Sequence, residues 1–482
     1  MTASRDTNDD PCAMSTTVLA GHFASGALSP VEVATAALER AEAINSELNA
    51  FVELDANGAL AAARDAEDRW RRGAPLSPID GMPTTIKDIV LCRGLDVRYG
   101  SETAPDVSSQ PDSPSVRKLR SAGAVIIGLT ASPEFGWKAV TDSRKNGVTR
   151  NPWNAAKTSG GSSGGAAVAA ATGAGVLHLG TDGGGSIRIP AAFTGIVGHK
   201  PSFGRVGASP PSAFGTVAHI GPMARTVGDV VSMLNAMSGR DSRDWTQPPF
   251  DFEPVPATPV DLSNKLIGYW KTPCVGDVDP EISGAVESVL RELETAGARV
   301  VEIRLPYQDE IFEVFLRYWY VGAASRLLAV DEKDRDRVDP GFLRVAAIGE
   351  RYTAVERVQA EVQRARFGSQ MNALLEDYDL VVSPTVAIPA FDAGHEVPPG
   401  SGLECWIEWA SFSFPINLSQ QPACSLPCGL TTSGLPIGIQ IIGARGDDAH
   451  VLGAALTYEQ MFPNRFPTIG DRQWVKENGK AP

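Results

Sequence analysis

The feature that most constrains this chain is a pair of glycine-rich loops on either side of a run of small residues. The first loop is Ser159-Gly160-Gly161-Ser162-Ser163-Gly164-Gly165, and it leads into Ala166 to Ala171. The second is Thr181-Asp182-Gly183-Gly184-Gly185-Ser186. Ser162 and Ser186 lie 186 − 162 = 24 residues apart. A closely packed helix and one short strand (Val176 to Leu179) fit between them, so both loops can emerge on one edge of a sheet.

Glycine loops of this kind admit three readings. They can be tight turns and close-packing sites, anion cradles at helix starts, or catalytic loops. Neither is followed by Lys-Ser or Lys-Thr, and neither matches G-x-G-x-x-G opening a helix. Ser186 favours catalysis. The N–H groups of Gly183, Gly184 and Gly185 can converge on one small volume, the nest that an oxyanion requires. A serine placed just after it can attack a carbonyl whose oxygen occupies the nest.

Serine is a weak nucleophile without a base. None of the six histidines (His22, His178, His199, His219, His395, His450) has a triad context, and His178 reads as a core residue in an apolar strand. Lys87, framed by Ile86 and by Ile89-Val90, reads as part of a short buried strand. Two readings of it stay open. It can pair with Asp88 at a strand end, or burial can lower its pKa and make it a neutral base near pH 7.

Start and stop signals organise the rest. Ser29-Pro30-Val31-Glu32 is a capping box that starts a helix reaching about Asn49, and an Ala-rich helix follows to about Arg72. Together they read as an N-terminal helical arm behind a disordered segment, residues 1–13. Asp279-Pro280-Glu281 opens a helix that Gly297 ends, between strands Lys265 to Trp270 and Arg299 to Ile303. Tyr378 to Val382 and Ile437 to Ile442 add β-branched strands. The stretch 243–262, rich in proline and aspartate, reads as a linker. Strands on both sides imply an α/β fold with one mixed central sheet flanked by helices. The expected domain is 14–475, with a core at about 75–230 and a second α/β half at about 263–475.

Composition then excludes partners. The net charge is 43 − 57 = −14, without a basic block, which argues against nucleic acid. No apolar run approaches a membrane span and no signal peptide opens the chain, so a cytoplasmic protein is expected. The six cysteines are scattered, and the Cys424–Cys428 pair lacks partners for a zinc site. They read as free thiols, with neither metal nor cofactor expected.

Three ordered stretches resemble the amidase signature family: G-x-P-x-x-I-K-D at 81–88, G-G-S-S-G-G at 160–165 and D-G-G-G-S-I-R-I-P-A-A-F at 182–193. Further stretches at 195–201, 221–227, 417–428 and 434–440 extend the resemblance over about 15–465. It implies a serine–cis-serine–lysine triad, with Ser186 as nucleophile, Ser162 as bridging serine after a cis Gly161–Ser162 bond, and Lys87 as base. The chain departs from the pattern at Gly183, where the family often carries a larger residue. Arg188 is expected to anchor the loop, and the alternative is that it binds a substrate carboxylate.

The substrate is expected to lie outside the signature. Phe135 and Trp137, after a strand, and Trp406 and Trp409, in an aromatic-rich loop, are candidates to wall an apolar pocket. These point to a small hydrophobic or aryl amide, with carbamates or esters as side substrates. Two alternatives are a glutaminase subunit of a tRNA-dependent amidotransferase and a non-catalytic binding module. A homodimer is common among relatives of this kind, and the helical arm could serve it.

Overall fold

A computed structural model describes residues 10–467. The segment expected to be disordered lies outside the described residues up to residue 9, as does the expected domain end at 475. Pro11–Ala13 forms a 3-10 turn capped by Asp10, which also pairs with Arg40 at 3.0 Å.

Eleven strands form one sheet: β1 Phe51–Leu54, β2 Pro83–Lys87, β3 Val125–Thr130, β4 Leu177–Asp182, β5 Val197–Lys200, β6 His219–Ala224, β7 Leu266–Trp270, β8 Arg299–Ile303, β9 Leu380–Pro384, β10 Ala423–Leu430 and β11 Pro436–Ile442. Their spatial order is β1-β3-β2-β4-β6-β5-β10-β11-β9-β7-β8. The sheet is mixed. The β3-β2-β4 and β9-β7-β8 runs are parallel, and the strands between them are antiparallel. The two halves join where β5 pairs with β10, Lys200 opposite Ala423. One sheet therefore crosses the 243–262 stretch.

That stretch is a strap held against the core. It forms no helix or strand, but Val255 and Leu262 are buried, and Val255 exchanges hydrogen bonds of 2.8 and 2.9 Å with the Asn235 side chain.

At the N-terminus, the Ser29 hydroxyl accepts from Glu32 N at 3.1 Å, and the Glu32 carboxylate accepts from Ser29 N at 2.7 Å. The helix Pro30–Leu48 ends with Asn49 in the left-handed region, φ 51°. Ala59 and Ala63 of the next helix, Ala56–Arg71, pack with it against β1 and β3. The arm is thus layered onto the sheet. Strand β1 between the helices was not expected, because four residues carry too little periodicity to declare a strand.

The small-residue helix Gly164–Thr172 is buried on every side, which its Ala and Gly content permits. Ala166 and Ala170 face Ile187 and Met223, while Val168 and Ala169 face the N-terminal helices. A separate aromatic core joins the helices Ile311–Leu327, Pro340–Gly349 and Ala354–Asp377. No described helix is long and apolar enough to cross a membrane.

Candidate active site

Parallel pairing of β2 with β4 brings their C-terminal ends to the same edge of the sheet. Lys87 is the last residue of β2, and Asp182 the last of β4. Lys87 is fully buried, at 0% exposure. Its Nζ lies 2.7 Å from Ser162 Oγ, 2.9 Å from Ser163 Oγ and 3.0 Å from Thr181 Oγ1. Three neutral hydroxyls cannot replace the solvation an ammonium loses, so burial pulls the Lys87 pKa far below 10.5, against the opposing charges of Asp182 and Asp88.

The pairing with Asp88 that the sequence left open is not made among the described residues. Asp88 turns away and accepts the N–H groups of Arg98 at 2.7 Å and Gly100 at 2.9 Å. Burial nevertheless pushes its carboxyl up to about 7. His178 is the core residue expected. Its Nδ1 meets Thr85 Oγ1 at 2.9 Å, and burial holds its pKa down at about 3.

The two serine loops are tied together by Ser163 N, which donates to Ser186 O at 3.1 Å. The Gly161–Ser162 bond is cis. Ser163 Oγ donates to Thr181 O at 3.1 Å and accepts from Thr181 N at 3.2 Å and from Lys87. Sequence reasoning missed both Ser163 and Thr181. Each adjoins a motif residue, but only the meeting of β2 with β4 and with the start of the small-residue helix shows that they surround the amine. Ser186 is 6% exposed, and its hydroxyl has no hydrogen-bond partner among the described residues.

The glycine nest is narrower than expected. Gly185 N already donates to Asp182 Oδ1 at 2.7 Å, with Gly185 at φ 124°. The N–H groups of Gly183 and Gly184 have no acceptor among the described residues, nor does that of Ser186. Arg188 fixes this loop. It donates to Asp182 at 2.9 and 3.0 Å, to Gln440 Oε1 at 2.7 Å and to Asn417 Oδ1 at 2.6 Å, all fully buried. Asn417 in turn donates to Asp182 O at 2.9 Å. Burial alone would raise the Asp182 pKa, but the Arg188 charge and hydrogen bonds hold it well below the carboxylate range. Arg188 thus has the anchoring place expected of it, and its donors are engaged within the protein.

Aromatic rings close over the glycines. A Cβ added at Gly184 would come within 2.7 Å of Trp406 and 2.9 Å of Phe315, and one at Gly183 within 3.1 Å of Trp319. The departure at Gly183 therefore makes room for Trp319. Trp406, a candidate pocket residue, lies against Gly184, on a short helix (Trp406–Trp409) where a loop was expected. Glu408 stabilises that turn by accepting from Cys405 N at 3.1 Å. Trp409 is not at the site. It stacks on Phe193 at 5.9 Å in the core. Phe135 packs on Phe342, and Trp137 is 1% exposed, its carbonyl accepting from Trp319 Nε1 at 2.9 Å. Between them, Gly136 borders the site, where an added Cβ would lie 3.4 Å from Ser162 Oγ. Phe315 and Trp319 gave no signal in the sequence, because their helix looks like any buried helix.

Known proteins carry the same arrangement of chain. The Amidase family model matches residues 32–452. An acylamidase of Rhodococcus erythropolis is 33% identical, the match covering 93% of this chain and 96% of that protein. A glutamyl-tRNA(Gln) amidotransferase component of Myxococcus xanthus is also 33% identical, over 92% of this chain and 96% of its own length. Among solved structures, a bacterial aryl acylamidase of the amidase signature family superposes with a TM-score of 0.86 at 28% identity, covering 93% of this chain and 96% of that one. With the family model matching most of its length and a shared fold over more than nine-tenths of it, the chain belongs to the amidase signature family and is an amide-hydrolysing enzyme.

Proposed function

We propose that the enzyme cleaves the acyl C–N bond of hydrophobic or aryl amides through an acyl-enzyme on Ser186, with Lys87 as base and Ser162 as proton relay. The observation that carries this is the environment of Lys87, a buried amine facing three hydroxyls and no carboxylate. A neutral amine has two N–H donors and one lone pair. Ser163 and Thr181 take the donors, which leaves the lone pair for the Ser162 hydroxyl.

In the first half-reaction Ser186 Oγ attacks the carbonyl carbon and its proton passes to Ser162, whose own proton passes to Lys87. The N–H groups of Gly183, Gly184 and Ser186 receive the oxyanion. The relay then runs backwards and protonates the leaving amine as the C–N bond breaks. Water repeats the sequence on the acyl ester and frees Ser186. Carbamates and esters pass through the same tetrahedral geometry and are expected as side substrates.

The rings of Phe315, Trp319 and Trp406 against the glycines support an aryl or apolar substrate. The second reading is the glutaminase component of a tRNA-dependent amidotransferase, which the Myxococcus relative brings forward. The test is a panel of anilides, aliphatic amides, carbamates and glutamine assayed on the isolated chain. Turnover of anilides above glutamine is expected. Glutamine hydrolysis alone, dependent on an added partner protein, would select the second reading.

A further inference from the structure

The aromatic helix Ile311–Leu327 carries Phe315, Trp319, Gly322 and Arg326 at i, i+4, i+7 and i+11, a single stripe. At one end of the stripe, Phe315 and Trp319 press on the glycine loop. At the other end the Arg326 guanidinium lies over the Phe135 ring at 4.3 Å and near the Tyr99 ring at 5.3 Å. Phe135 adjoins Gly136, which borders Ser162. Seven residues of helix separate Trp319 from Arg326, about 10 Å along the axis.

Arg326 is half-buried and lacks a hydrogen-bonded partner. Among the described residues its side chain makes no ion pair and no hydrogen bond, in a chain with 57 acidic residues against 43 basic ones. None of its nitrogens is sealed in as an orphaned donor, so each reaches accessible space. Glu134, next to Phe135 in the turn Glu134–Gly136, accepts hydrogen bonds from Ser101 Oγ and from Asp339 N at 2.5 Å each. Two rings thus hold a planar fork of donors in place; the Glu134 carboxylate is near enough to act on its charge, but none of the fork's N–H groups has a hydrogen-bond acceptor among the described residues.

We infer that Arg326 is a carboxylate-binding subsite at the far end of the substrate pocket, selecting amides that carry an anionic group remote from the scissile bond. This deepens the amide-hydrolase reading and rests on it. A charged hydrogen-bonded pair of this kind is worth about 1.5–3 kcal/mol, roughly tenfold to a hundredfold in kcat/KM.

The test compares aryl amides bearing a remote ring carboxylate, on the acyl or the amine side, with their isosteric nitro counterparts. The wild type is expected to favour the carboxylate of at least one pair about tenfold or more. Arg326→Gln should bring that ratio to within about twofold of one while leaving the nitro rates unchanged, and Arg326→Lys should keep part of the preference. Absence of a carboxylate preference in the wild type, or one that survives Arg326→Gln, overturns the inference. So does an equal loss of nitro turnover in both variants, which marks Arg326 as a packing residue. If no amide of either kind is turned over, the amidase reading fails on its own. The free carboxylic acids and their nitro analogues, compared by thermal shift, then still read the Arg326 preference.

Discussion

Lys87 holds its proton more weakly in the fold than in the unfolded chain, and two outcomes follow. Only the neutral amine can accept the relayed proton, so kcat/KM should fall as pH drops below the folded Lys87 pKa. Lys87→Ala should lower kcat by about 10²–10⁴-fold and erase that acid limb; a pH–rate profile checks both. In stability the sign is also fixed. Between the depressed folded value and 10.5 the unfolded chain binds more protons, so stability rises with pH across that window. Denaturant titration of Lys87→Met at several pH values should show this rise removed. Ser186→Ala should abolish turnover while shifting stability by less than about 0.5 kcal/mol, because its hydroxyl has no internal bond to lose. Among these residues Ser186 was legible through the glycines before it. Lys87 was legible only through the motif order, since by its chemistry alone an Ile-Lys-Asp stretch reads more readily as an ion-paired strand end.

At the scale of elements, the loop between Ala208 and Thr216 stands out. Ala208 N is held by Asp244 at 2.8 Å, and Thr216 by Arg364 at 2.7 Å. Between them Phe214 stacks face-on against Trp319, with ring centroids 4.0 Å apart. Phe214→Ala should therefore loosen Trp319 over Gly183 and raise KM for aryl amides by roughly 10-fold, with a smaller change for short aliphatic amides; steady-state kinetics on both classes checks it. Elements with strong local signals were read directly. The Ser29 capping box and the stop at Asn49 are hydrogen bonds between residues close in sequence. The four-residue β1 and the short Trp406–Trp409 helix were not, because their stability comes from neighbours distant in the chain.

For the whole molecule, Arg188 is the joint. It links the loop after β4 to Asn417 and to Gln440 on β11, so the Ser186 loop is fixed by the second half of the chain. Arg188→Gln should cost about 3–5 kcal/mol in chemical denaturation, since it strands the buried Asp182 carboxylate, and should lower kcat along with stability. What the sequence by itself determined is local: glycines that allow a nest, a serine after it, helix caps, and a motif order that marks the family. The tertiary structure alone decided which hydroxyls surround Lys87, which two of the three glycine N–H groups stay unclaimed, and which rings lie against the glycine loop. Trp406 and Trp409 are three residues apart and chemically identical, yet one meets Gly184 and the other stacks on Phe193. Burial and contact depend on register and packing across hundreds of residues, and neither quantity is carried by any single stretch of sequence.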